Sequence, residues 1–222
     1  MQPTTQPIET VETSAGPARV HWDHQPPEPG GLVVLGPGAS GAVQAVDLLA
    51  ATAVAGEMGL AAARVEPAYR VAGRKVPPRG PAADDPWLQV VEALRTRWGR
   101  GPLVVGGRSF GSRVAARTAH AAGADAVLAL AYPLHPPGRP EKSRLEELEA
   151  AQPLPTLVIS GRTDPFGRPE SGGSRRVVLV PGDHSLRRGL DDLVPVVRHW
   201  LAGLVDGPTP ADATLPGQGG AE

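Results

Sequence analysis

The chain contains no cysteine, which excludes disulfides, thiolate nucleophiles and cysteine-ligated zinc together. Aromatic residues fill only 4% of its 222 positions, so a core has to be built from valine, leucine and alanine. Excess charge is lacking too. A formal net charge of −1 gives nucleic acid or an anionic membrane no electrostatic reason to bind. No apolar run approaches the roughly 18 residues that a bilayer span requires. The opening residues, MQPTTQPIETVETSAGP, carry neither the basic start nor the apolar stretch of a secretory leader. A cytoplasmic protein is the expectation.

Glycine and proline, by contrast, are abundant, at 28 and 26 residues. They punctuate the chain into short segments of the length expected for one domain. Residues 1–15 and 206–222 are rich in Pro, Thr, Gly and Ala and read as disordered tails, which leaves residues 16–205 as the domain. Within it, apolar runs at Ala18–Trp22, Leu32–Leu35, Ala62–Glu66, Leu103–Val105, Ala126–Ala131, Thr156–Ile159 and Arg176–Val180 read as strands. Most are continuously apolar, the pattern of strands covered on both faces.

Helical patterns fall between them, over residues 42–58, 86–98, 110–122 and a last segment carrying Leu193, Val197 and Leu201. The second is expected to start with Asp85 as cap and Pro86 at its first position, and to end at Gly99. Alternating strands and helices predict a three-layer α/β fold with a mostly parallel, doubly wound sheet and no large lid domain. In such sheets function collects in the loops at the carboxyl ends of the strands.

Two glycine motifs occupy those loops. Gly36, Gly38 and Gly41 spell the spacing of a dinucleotide loop, with Glu66 as the acid that would hold ribose hydroxyls. Pro37 removes one amide from that loop. The second motif, Gly107-Arg108-Ser109-Phe110-Gly111, is G-x-S-x-G between a strand and a helix. This is the nucleophile elbow, where the chain doubles back so sharply that the flanking positions must be tiny. Its plain alternative is a glycine-rich turn with an exposed serine.

A serine needs a base, and the base needs a carboxylate that fixes its tautomer. In chain order Ser, acid, His, the loop Gly161-Arg162-Thr163-Asp164-Pro165 offers Asp164 and the loop Pro181-Gly182-Asp183-His184-Ser185 offers His184. His135 is the rival base, but it precedes every strand-ending acid after the elbow. Asp183, adjacent to His184, reads as a turn cap. The oxyanion donors expected are the backbone amides of Phe110 and Gly38, with Ala39 the alternative to Gly38. Arg108 and His135 are candidates to meet the substrate.

The stretches GGRSFGSR, YPLHPPGRPEK, SGRTDPFG and PGDHSL, in that order, resemble the hydrolase-like domain shared by a subunit of the non-specific lethal chromatin complex, a testis-expressed relative and bacterial proteins similar to dienelactone hydrolases. The resemblance runs over about residues 16–205. It implies an α/β-hydrolase fold with Ser109, Asp164 and His184 at the matching triad positions. It implies no substrate. Many relatives carry a histidine where this chain has Leu35.

These residues make a serine hydrolase of an ester or related acyl bond the first expectation, with a small acyl substrate and no cofactor or metal. A catalytically silent fold serving as an interaction module is the alternative, and a dinucleotide-binding protein the third.

Overall fold

The computed structural model describes residues 8–98 and 100–205. The expected tail 206–222 and the helix end expected at Gly99 lie outside the described residues, as do residues 1–7.

An eight-stranded sheet runs through the molecule in the order β1-β2-β4-β3-β5-β6-β7-β8. The strands are β1 (Ile8–Thr13), β2 (Gly16–His24), β3 (Leu32–Gly36), β4 (Ala61–Glu66), β5 (Leu103–Arg108), β6 (Ala126–Leu130), β7 (Thr156–Gly161) and β8 (Arg175–Val180). Both β1 and β2 pair antiparallel, and every later pair is parallel. The parallel strands β3, β6 and β7 are buried along their whole length. That is why their sequences read as unbroken apolar runs.

Among the described residues six α-helices cover the sheet: α1 (Val46–Glu57), α2 (Ala68–Val71), α3 (Pro81–Arg97), α4 (Phe110–Thr118), α5 (Leu145–Glu149) and α6 (Leu190–Val205). On one face α1 and α6 enclose Leu35, Leu48, Leu128, Ile159 and Val197. On the other, α3 and α4 enclose Val34, Trp87, Val91, Val105 and Val114. At about 25 cal/mol per Å² of apolar surface, these two layers carry most of the driving force for folding.

Residues 8–13 correct the expectation of a disordered N-terminal tail. They form β1, whose Glu9 carboxylate accepts a bond from the Trp22 indole at 3.0 Å and from Arg97 at 2.9 Å. Ser14, in the turn, donates its amide to Gln89 of α3 at 2.7 Å. The hairpin is thus tied to the helical layer at both ends.

The second correction concerns α3, which starts at Pro81 rather than Pro86. Gly80, with φ of 53°, makes the turn into it, and Pro81 supplies the preset φ of a first helical position. Pro86 lies inside the helix and leaves the carbonyl of Ala82 without its usual amide partner. The segment expected as helix to residue 122 ends at Thr118 and continues as a turn.

Candidate active site

Parallel β5 passes into α4 through Ser109, whose φ of 52° and ψ of −111° lie in a region that a serine adopts only under constraint. The constraint is visible on each side. The Ser109 amide donates to Leu130 O of the neighbouring strand at 2.9 Å. A Cβ on either Gly107 or Gly111 would stand 2.3 Å from Gly36 O. Only glycine at both positions lets β5, α4 and the loop after β3 converge.

The histidine and the acid arrive from the next two strand ends. Asp164 lies in the loop after β7, and His184 in the loop after β8. The two loops are stapled together: Thr163 donates both its amide and its hydroxyl to Gly182 O at 3.0 Å. His184 Nδ1 lies 2.8 Å from Asp164 Oδ2, and His184 Nε2 lies 2.9 Å from Ser109 Oγ. A carboxylate accepts, so the Asp164 contact suits an Nδ1–H donor and turns Nε2 toward the serine hydroxyl. The Asp164 side chain is fully buried. Its second oxygen accepts the Phe166 amide at 2.8 Å, which fixes the carboxylate's rotation.

Phe166 also stacks on the His184 ring, with centroids 4.2 Å apart and planes at 30°. Nothing in the sequence singled it out. Spacing alone placed it two residues after the acid, where a loop residue has no periodic signal.

Arg108 turns away from open solvent. Its Nη2 donates to the carbonyl of His184 at 2.7 Å, and its Nε lies 2.9 Å from Asp47 Oδ2. Asp47 is fully buried in the first turn of α1. Burial pushes its carboxyl above the usual range, with the Arg108 charge working against that rise. Two faces of the Arg108 fork are therefore committed to protein groups.

The glycine-rich loop after β3 packs against the elbow. A Cβ built on Gly38 would lie 3.7 Å from Ser109 Cβ and 3.2 Å from Arg108 Nη1. Tyr69 donates its hydroxyl to Ala39 O at 3.0 Å, and Gly41 N closes the turn onto Gly38 O at 2.8 Å. Glu66, the acid that a dinucleotide site requires, instead faces Arg19 at 3.6 Å and His21 at 3.5 Å across β2. That leaves the dinucleotide reading without its ribose partner.

The remaining candidates have local roles. His135 bonds through Nδ1 to Pro136 O at 2.9 Å, and its amide donates to Phe166 O at 2.9 Å. It flanks the acid loop rather than the serine. Asp183 accepts the amide and the hydroxyl of Ser185 at 2.9 and 2.7 Å, as expected of a turn cap. Among the described residues there is no group of three or more His, Asp or Glu placed to hold a metal, and no helix long and apolar enough to cross a membrane.

Comparison with known proteins agrees with this architecture. A family model described as an alpha/beta hydrolase domain matches residues 31–189, from the start of β3 to the entry of α6. No curated protein sequence matches the chain. Among solved structures, the chain is similar to XC6422 from Xanthomonas campestris, described as an a/b serine hydrolase without lid. The two share 22% identity with a TM-score of 0.71, over 90% of this chain and 95% of that one. An alpha-beta serine hydrolase homologue from Coxiella burnetii aligns with a TM-score of 0.67 at 17% identity, over 91% of this chain and 100% of its own. Est1E from Butyrivibrio proteoclasticus aligns with a TM-score of 0.68 at 15% identity, over 90% and 99% of the two chains. At these identities the likeness is one of fold.

Proposed function

The chain belongs to the alpha/beta hydrolase family, and from that premise we propose that it is a serine hydrolase that cleaves an ester or related acyl bond. The observation that carries this reading is the unbroken line from Ser109 Oγ through His184 to Asp164, with links of 2.9 and 2.8 Å. A packing network without chemistry has no need to hold a serine at positive φ to complete that line.

Ser109 Oγ attacks the acyl carbon as its proton passes to His184 Nε2. The new C–O bond converts the carbonyl to an oxyanion, held by the backbone amides of Phe110 and Gly38. Collapse of that intermediate breaks the bond to the leaving group, which departs with the proton from His184. Water then enters, gives a proton to His184 and attacks the acyl-enzyme. The acid is released as Ser109 recovers its proton. Asp164 stays ionised and orients the imidazole throughout. The cycle as written consumes one water and needs no cofactor.

Reaction with a fluorophosphonate, read by intact mass, tests this. One adduct is expected on the native chain and none on Ser109→Ala or His184→Ala. Undiminished esterase activity in Ser109→Ala overturns the reading.

A further inference from the structure

Behind the elbow lies a cavity of about 150 Å³ whose wall is mostly apolar. Trp87 and Val90 of α3, Val114 of α4 and Ala18 of β2 line it together with Pro37 and Phe110, the chain neighbours of Gly38 and Ser109. Its one charged lining residue, Arg74, is exposed, so it has water for its head group while its stem covers the rim.

We infer that this cavity is the acyl-chain pocket of the enzyme and takes an unbranched apolar chain of about six carbons. The inference rests on the hydrolase reading above and assigns a direction to it. The leaving group has to collect its proton from His184 Nε2, so it must lie on the His184 side of Ser109. The cavity shares no wall with the His184 loop or the Asp164 loop. Its wall instead includes Phe110 and Pro37, next to the proposed oxyanion donors. The group retained on Ser109 is therefore the one that faces it.

Size sets the chain length. A dry apolar cavity of roughly this volume accommodates a benzene-sized molecule, which corresponds to a short chain and not to a long fatty acyl group. Part of the enclosure comes from the β1–β2 hairpin, since Ala15 of its turn lines the cavity and the neighbouring Ser14 is bonded to Gln89 of α3. The turn that joins β1 to β2 thus contributes to the wall of the pocket.

The test is turnover of p-nitrophenyl acetate, butyrate, hexanoate and decanoate by the full chain, with fluorophosphonate labelling of Ser109 run in parallel. Each buried methylene contributes about 0.8 kcal/mol, or about fourfold. With incomplete burial, kcat/KM is expected to rise at least about tenfold from acetate to hexanoate and to rise no further at decanoate. Ala83→Phe, which fills the cavity from the half-buried first turn of α3, is expected to cut the hexanoate-to-acetate ratio about tenfold. Val114→Ala, which enlarges it, is expected to move the optimum to a longer chain. The native profile stands without either variant should one fail to fold. A flat profile with Ser109 still labelled overturns the acyl pocket and leaves the hydrolase reading intact. Neither turnover nor labelling overturns that reading, and the pocket with it.

Discussion

Arg108 donates to the main-chain carbonyl of His184 at 2.7 Å, so the residue before Ser109 holds the loop that carries His184. Its other anchor, 2.9 Å away, is the buried Asp47 carboxylate at the start of α1. One guanidinium thereby ties together the end of β5, the loop after β8 and the start of α1. The planar fork of arginine suits this bridging position, where a lysine would reach only one partner.

Removing that guanidinium exposes the cost of Asp47. Burial already pushes the Asp47 carboxyl up from 3.8, with Arg108 working against it. A carboxyl raised in the folded state contributes stability that is complete below its unfolded pKa and is lost as the pH rises through the folded one. Arg108→Met is therefore expected to lose little stability near pH 4 and roughly 3 kcal/mol at pH 7, where a buried carboxylate is left alone. Arg108→Met combined with Asp47→Leu should recover most of the neutral-pH loss. Urea denaturation at the two pH values checks both expectations.

The parallel core and the sharp turn at Ser109 were legible because burial on both faces leaves a continuous apolar signature, and because that turn has room only for glycine at Gly107 and Gly111. The order of Asp164 and His184 followed from the loops that succeed β7 and β8. The N-terminal strand was not legible. Ile8–Thr13 is exposed or half-buried along its length, so it lacks the apolar run, and its setting among Pro and Thr resembles a tail. Its β-branched content, Ile8, Thr10, Val11 and Thr13, was the signal available. Asp47 and Phe166 escaped for another reason: their partners, Arg108 and His184, are distant in sequence, and no spacing rule links them.

Phe166 holds the His184 imidazole by its face while Asp164 holds its edge. A stacked ring of this kind is worth about 1 kcal/mol beyond its buried area. Phe166→Ala is expected to lower kcat about fivefold and to leave KM for acetate esters within twofold. Phe166→Tyr should restore the rate, since it keeps the stack. A fall in stability with kcat unchanged would assign Phe166 to packing alone.

Acid should loosen the helical layer through Glu147. This carboxylate bridges Arg113 at 2.5 Å and Arg117 at 3.1 Å. Burial acts to raise it, but the bonds and charges of Arg113 and Arg117 outweigh that and hold it below 4.5. A carboxyl lowered in the folded state stabilises above its unfolded pKa, and that stability is lost as the pH falls through the folded value. Glu147→Gln is expected to cost about 1 kcal/mol at pH 7 and progressively less below pH 4. Parallel thermal melts of the two proteins across that range measure the difference.

Pro37 sits where the loop after β3 meets the elbow, and it has no amide to offer an oxyanion. Gly38, packed beside Ser109, is the donor proposed in its place. The loop is braced for that task by the Tyr69 hydroxyl on Ala39 O and by the turn from Gly41 N to Gly38 O. One missing oxyanion donor costs about a hundredfold or more in kcat, which makes Pro37→Ala informative in either direction. With the Gly38 amide already in service, the added amide is redundant, and kcat on a butyrate ester should change less than about threefold. A rise approaching a hundredfold would mean that the native loop leaves the oxyanion with one donor. In that case the proposed oxyanion hole is incomplete, and Pro37 is the residue that limits the rate.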